Sequence, residues 1–120
     1  MSERVEGVGG VFFRSQDPDR LAAWYHDQLG IELAPDFVGS PFVAKDGDVT
    51  VWSIFPADTT YFDGPLMVNY RVRDLDAMLA QLREVGVPAD GPMEHENGRF
   101  GWGVDCDGNR FELWQPVDGR

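Results

Sequence analysis

Within 120 residues the chain carries one plan twice, and that repetition restricts its fold more than any other feature. The segment Phe13-Arg14-Ser15-Gln16-Asp17 returns as Tyr70-Arg71-Val72-Arg73-Asp74, 57 positions later. An apolar, strand-like stretch precedes each copy, residues 8–13 in the first and 66–72 in the second. Each Asp then opens a helix. Asp17 is placed as N-cap, Pro18 follows at N1 where its missing N–H costs nothing, and Asp19 suits the positive helix end. Leu21, Trp24, Tyr25 and Leu29 recur at helical spacing and Gly30 stops the run. In the second copy Asp74 caps, Asp76 lies in the first turn, Leu75, Met78, Leu79 and Leu82 form the apolar stripe, and Gly86 ends it.

Short strand candidates separated by turn residues follow each helix. In the first half they fall at residues 32–34, 41–44 and 49–55, with Asp46-Gly47 as a hairpin turn. In the second half they fall at 93–96, 100–104 and 110–115, with Asp107-Gly108 as the turn. The expectation is an α+β chain of two tandem βαβββ modules, about 8–56 and 66–116, joined by a linker at about 57–65 within a single domain spanning 1–120. A module this small cannot bury both faces of its own sheet, so the two pair around one interior.

Composition narrows the functional classes. Ten Lys and Arg against twenty-one Asp and Glu give a net charge of -11, which repels phosphate backbones and disfavours nucleic acid as a partner. No apolar run approaches the length of a membrane span, and the N-terminus Met1-Ser2-Glu3-Arg4 lacks signal-peptide character. The one cysteine, Cys106, excludes an internal disulfide and a thiolate-based zinc site. A cytoplasmic location is the corresponding expectation.

These residues resemble the vicinal oxygen chelate superfamily, the glyoxalase/bleomycin-resistance/dioxygenase fold. Three segments carry the resemblance: DPDRLAAWYHDQLG from Asp17, VRDLDAMLAQLREVGV from Val72, and DCDGNRFELWQP from Asp105, in which Cys106 replaces the family's usual proline. The resemblance implies an open, cup-shaped mixed β-sheet with helices outside, a ligand or metal held within, and a homodimer. Because superfamily members isomerise, cleave, oxidise or simply bind their ligands, fold does not identify function.

Metal-dependent members take one ligand from the first and last strand of each module. Carried over by position, those places are Gly10, Met67 and Glu112, with Trp52 as the fourth when Pro56 is aligned with Pro116. Glycine offers no donor, tryptophan cannot accept, and thioether sulfur suits a hard ion poorly. Neither a metal nor any other cofactor is therefore expected. His26 falls on the first helix, and His95 lies near the sixth strand with its reach into the cup left open. An EF-hand reading of Asp105, Asp107 and Asn109 fails because Arg110 and Pro116 stand where glycine and glutamate are needed.

Period-two alternation assigns the cup wall. Gly10, Phe12, Arg14, Met67, Asn69 and Arg71 share one face; Thr50, Trp52, Ile54, Arg110, Glu112 and Trp114 join them, with Phe100 and Trp102 on the seventh strand. Phe12, Trp52, Met67, Asn69, Arg71, Trp102 and Arg110 are the candidate ligand-binding residues. Arg14 reads as structural, Arg71 equally as structural or ligand-clamping. Glu112 is the candidate general acid or base, since a desolvated carboxyl without a metal has a raised pKa unless an arginine or amide pairs with it. Tyr61 and Phe62, in the linker, are placed at the rim.

Three functions compete: metal-free binding of, or action on, a small organic molecule; sequestration of a cationic drug, as in bleomycin-resistance relatives; and a metal-dependent lyase or dioxygenase with non-standard ligands.

Overall fold

The computed structural model describes residues 3–117. Its elements run β1 (Val5–Ser15), α1 (Pro18–Leu29), β2 (Gly39–Val43), β3 (Val49–Pro56), β4 (Leu66–Val72), α2 (Leu75–Glu84), β5 (Ala89–His95), β6 (Gly98–Val104) and β7 (Arg110–Pro116). The seven strands form one mixed sheet in the order β2-β3-β1-β4-β7-β6-β5. The first strands of the two modules, β1 and β4, pair antiparallel at its centre, while β1–β3 and β4–β7 are parallel. The repeat is thus an approximate two-fold across the β1–β4 seam.

The capping chemistry is as the sequence dictates. The Asp17 carboxylate accepts from the Arg20 N–H at 3.2 Å, and Asp74 accepts from Ala77 N–H at 3.1 Å. Gly30 closes α1 in the left-handed conformation at φ 71°, and its N–H returns to the His26 carbonyl.

The two halves differ in how they bury their helices. On α2, Leu75, Met78 and Leu79 pack with Val72 and Leu113 as the main core outside the sheet. On α1 only Ala22 is buried, and Trp24 and Leu29 of the expected stripe are 53% and 65% exposed. The strand expected at residues 32–34 does not form. Pro35 and Asp36 turn the chain there, and Ala34 N–H makes a single bond across that turn to the Gly39 carbonyl at the start of β2. Module one therefore supplies three strands and module two four.

Candidate functional site

The concave face of the sheet is built around the seam. Parallel register sets Asn69 beside Glu112 and, at the repeat-equivalent place, Phe12 beside Ser53. Register also sets Trp102 opposite Glu112 and Phe100 opposite Trp114, so these four share the cup face.

That register corrects the assignment of Trp52. Its ring lies 5.0 Å from Tyr25 of α1 and 5.5 Å from Phe13, on the helix side of the sheet. Its cup-side neighbours are Val51 and Phe55, which pack against Phe12, Phe62 and Met67. The prolines mislead by one residue, because Pro56 stands three places after Ser53 and Pro116 four places after Glu112. In a strand, one residue reverses the face. Ser53, not Trp52, is the counterpart of Glu112; Thr50 and Ile54 shift face with Trp52.

Glu112 is 1% exposed and wholly enclosed by donors. Asn69 Nδ2 donates to Oε1 at 2.7 Å, Trp102 Nε1 donates to Oε2 at 2.9 Å, and the Tyr61 hydroxyl also donates to Oε2. Arg110 lies over the Trp102 ring at 5.6 Å and adds positive potential. Burial pushes the Glu112 carboxyl above its usual range, and the bonds from Tyr61, Asn69 and Trp102 and the charge of Arg110 oppose that rise. Burial, and then the charge of Glu112, push the Tyr61 phenol upward as well. The result is a buried carboxylate saturated by neutral donors.

Tyr61 is the functional residue that alternation along strands does not find, since it comes from the linker. Arg14 brings it there. Its guanidinium donates to the Ala57 carbonyl at 2.8 Å, to the Thr59 carbonyl at 3.4 Å and to the Phe62 carbonyl, and it lies 4.8 Å over the Phe62 ring. The linker is thereby drawn over one end of the cup. Phe62 packs with Phe12 and Met67, and both Phe62 and Met67 are at most 2% exposed. Met67 is thus core beneath the strap.

Arg71 belongs to another corner. It donates to the Val49 carbonyl at 2.9 Å and the Val8 carbonyl at 3.4 Å, and pairs with Asp48 at 3.3 Å. Its guanidinium ties β1 and β3 together, a structural use. His26 bonds the Ile31 carbonyl and His95 accepts from Asn97 N–H; both are exposed, and neither meets Glu112.

The remaining part of the cup is a cavity of about 560 Å³, within the usual range for small-molecule sites. Phe12, Phe37, Val51, Phe100 and Trp114 form its apolar walls, and Asn69 lies between it and Glu112. Phe100 and Trp114 are stacked at 6.2 Å. Asn69 Oδ1 is buried without a partner. Of the eight candidates, Phe12 and Asn69 line this cavity, while Trp102 and Arg110 serve the Glu112 cluster behind it.

The profile of the Glyoxalase/Bleomycin resistance protein/Dioxygenase superfamily matches residues 7–113. No curated protein matches the sequence. Among solved structures, methylmalonyl-CoA epimerase from Mycobacterium tuberculosis is similar at a TM-score of 0.70 and 21% identity, covering 98% of this chain and 92% of that one. A methylmalonyl-CoA epimerase in complex with methylmalonyl-CoA and NH4+ is similar at 0.74 and 18% identity, covering 98% and 99%. A glyoxalase/bleomycin resistance protein/dioxygenase superfamily member from Vibrio splendidus 12B01 is similar at 0.58 and 14% identity, covering 93% and 97%. At these identities the likeness concerns the fold.

Proposed function

The chain belongs to the Glyoxalase/Bleomycin resistance protein/Dioxygenase superfamily, and from that membership we propose that its cup binds a small organic molecule without a resident metal, with Glu112 as the acid/base group of any chemistry done there. The carrying observation is that the Glu112 carboxylate accepts from Tyr61, Asn69 and Trp102, each a neutral donor.

The donor set supports the metal-free reading. With register included, the four family positions are Gly10, Ser53, Met67 and Glu112. One carboxylate, one hydroxyl and one thioether do not make the oxygen- and nitrogen-rich shell that a catalytic divalent ion requires. Among the described residues no three of His, Cys, Asp and Glu gather to hold a metal. At Gly10 a Cβ would fall 2.9 Å from both the Phe12 ring and the Val51 carbonyl, so the local packing suits glycine alone.

In this reading Phe12 and Asn69 touch the ligand, and Trp102 and Arg110 position Glu112. As the Tyr61 oxygen took up a proton from solvent it would pass its own hydroxyl proton to Glu112 Oε2, which is how the enclosed carboxylate would exchange protons with the outside. The assembly expected is a homodimer; exposed Trp24, Phe42 and Val43 supply apolar surface for it. No helix among the described residues is long and apolar enough to cross a membrane; the location proposed is cytoplasmic.

The test is a screen of small organic molecules read by the indole N–H signals of Trp102 and Trp114, followed by turnover assays on wild type and Glu112→Gln. Loss of turnover with retained binding supports the assignment. Intact turnover in the variant contradicts the role of Glu112, and a screen in which no compound moves Trp114 contradicts the cup as a binding site.

A further inference from the structure

The charged side chains that line the cavity are both anions, and Asn97 is the one other exposed polar side chain among them. Asp36, from the loop before β2, and Glu96, from the β5–β6 turn, line it from opposite modules; both side chains are exposed, and neither is ion-paired among the described residues. No lysine, arginine or histidine lines it.

The floor has the same polarity. Asn69 is 2% exposed and its amide orientation is fixed from behind, because the Glu112 carboxylate requires the Nδ2 donor. Oδ1 therefore faces away from Glu112, toward Gly9 and Trp114, which line the cavity beside it, and finds no protein donor. A Cβ on Gly9 would collide with both Oδ1 and the Trp114 ring, so the glycine is what leaves room there. A buried acceptor without a partner is costly, and a ligand N–H is the group that would satisfy it.

From these residues we infer that the cup selects an organic cation with an apolar body: the body lies between Phe12, Phe37, Phe100 and Trp114, its ammonium group is held by Asp36 and Glu96, and an N–H is donated to Asn69 Oδ1. The inference rests on the reading of the cup as a small-molecule site and adds the ligand's charge. Aromatic walls strengthen the preference, since ring faces attract cations.

The experiment uses three matched probes that share a naphthylethyl body and end in a primary amine, an alcohol or a carboxylate. Binding to the full-length protein is followed by the Trp114 indole and Asn69 side-chain amide signals at low salt and pH 7. The expected result is that the amine binds about tenfold tighter than the alcohol and that the carboxylate binds most weakly. The double variant Asp36→Asn/Glu96→Gln, at two exposed positions, is expected to bring amine and alcohol within about twofold of each other. A carboxylate that binds as well as the amine, or a preference unchanged in the double variant, overturns the inference while leaving the cup a binding site. Failure of all three probes to move Trp114 overturns the binding-site reading itself and the inference with it.

Discussion

Asn69 and Glu112 stand side by side on parallel strands, joined by a 2.7 Å bond from Asn69 Nδ2 to Glu112 Oε1. One bond fixes two things: the polarity of the carboxylate's surroundings and the direction in which the amide presents its oxygen. In Glu112→Gln the new amide can replace Oε1 if Asn69 turns over, so that Oδ1 accepts from it. That variant is expected to fold with a loss of about 1 kcal/mol or less. Asn69→Leu removes a donor from a buried carboxylate and is expected to cost roughly 1–3 kcal/mol. Urea denaturation of the two variants checks the difference; equal losses would mean that the amide turnover does not occur.

Glu112 also makes a pH signature. Its folded pKa lies above the ordinary 4.5, so the folded state binds its proton more tightly than the unfolded chain does. Its contribution to stability is therefore greatest below the ordinary value and diminishes as pH rises through the raised folded value. Denaturation of wild type against Glu112→Gln over that window should show a downward slope with pH that only the wild type possesses. A slope of opposite sign would mean that the three donors and Arg110 outweigh burial.

Tyr61→Phe removes one donor from the same carboxylate and leaves the ring packed against Phe55 at 5.7 Å. The expected loss is roughly 1–3 kcal/mol, with the Glu112 pKa moving further upward. Carboxyl-carbon NMR titration of Glu112 in the two proteins measures that shift directly.

Arg14 holds the linker by three carbonyls, so Arg14→Met should release it without touching the sheet. Amide exchange is expected to quicken at residues 57–62 and to stay unchanged in β4 and β7. Uniform quickening across the chain would show that the arginine supports the whole fold instead.

Much of this fold was legible because the repeat is written in capping residues, which act locally. Asp17 with Pro18 and Gly30, and Asp74 with Gly86, sit where helix chemistry demands them. The strand expected at 32–34 was lost to the turn at Pro35, and the start of β5 was hidden by Gly91 and Pro92, which interrupt the apolar pattern. Glu112, Asn69, Trp102, Trp114 and Phe100 were placed on the cup face because β4, β6 and β7 follow simple alternation. Trp52 was not, since the two modules differ by one residue between strand and proline. Tyr61 reached Glu112 through a loop whose path is set by Arg14, a long-range contact that periodicity does not encode. The glycines of β1 held a further signal: Gly7, Gly9 and Gly10 lie under Arg71, Asn69 with Trp114, and Phe12, where any Cβ would collide.

The account turns on how Glu112 is neutralised, and divalent-ion binding tests that most directly. Equilibrium dialysis of the purified protein against Mn2+, Co2+, Ni2+ and Zn2+, followed by elemental analysis of wild type and Glu112→Gln, should give far less than one ion per chain for each metal, with no difference between the two proteins. One ion per wild-type chain, lost in Glu112→Gln, would contradict it.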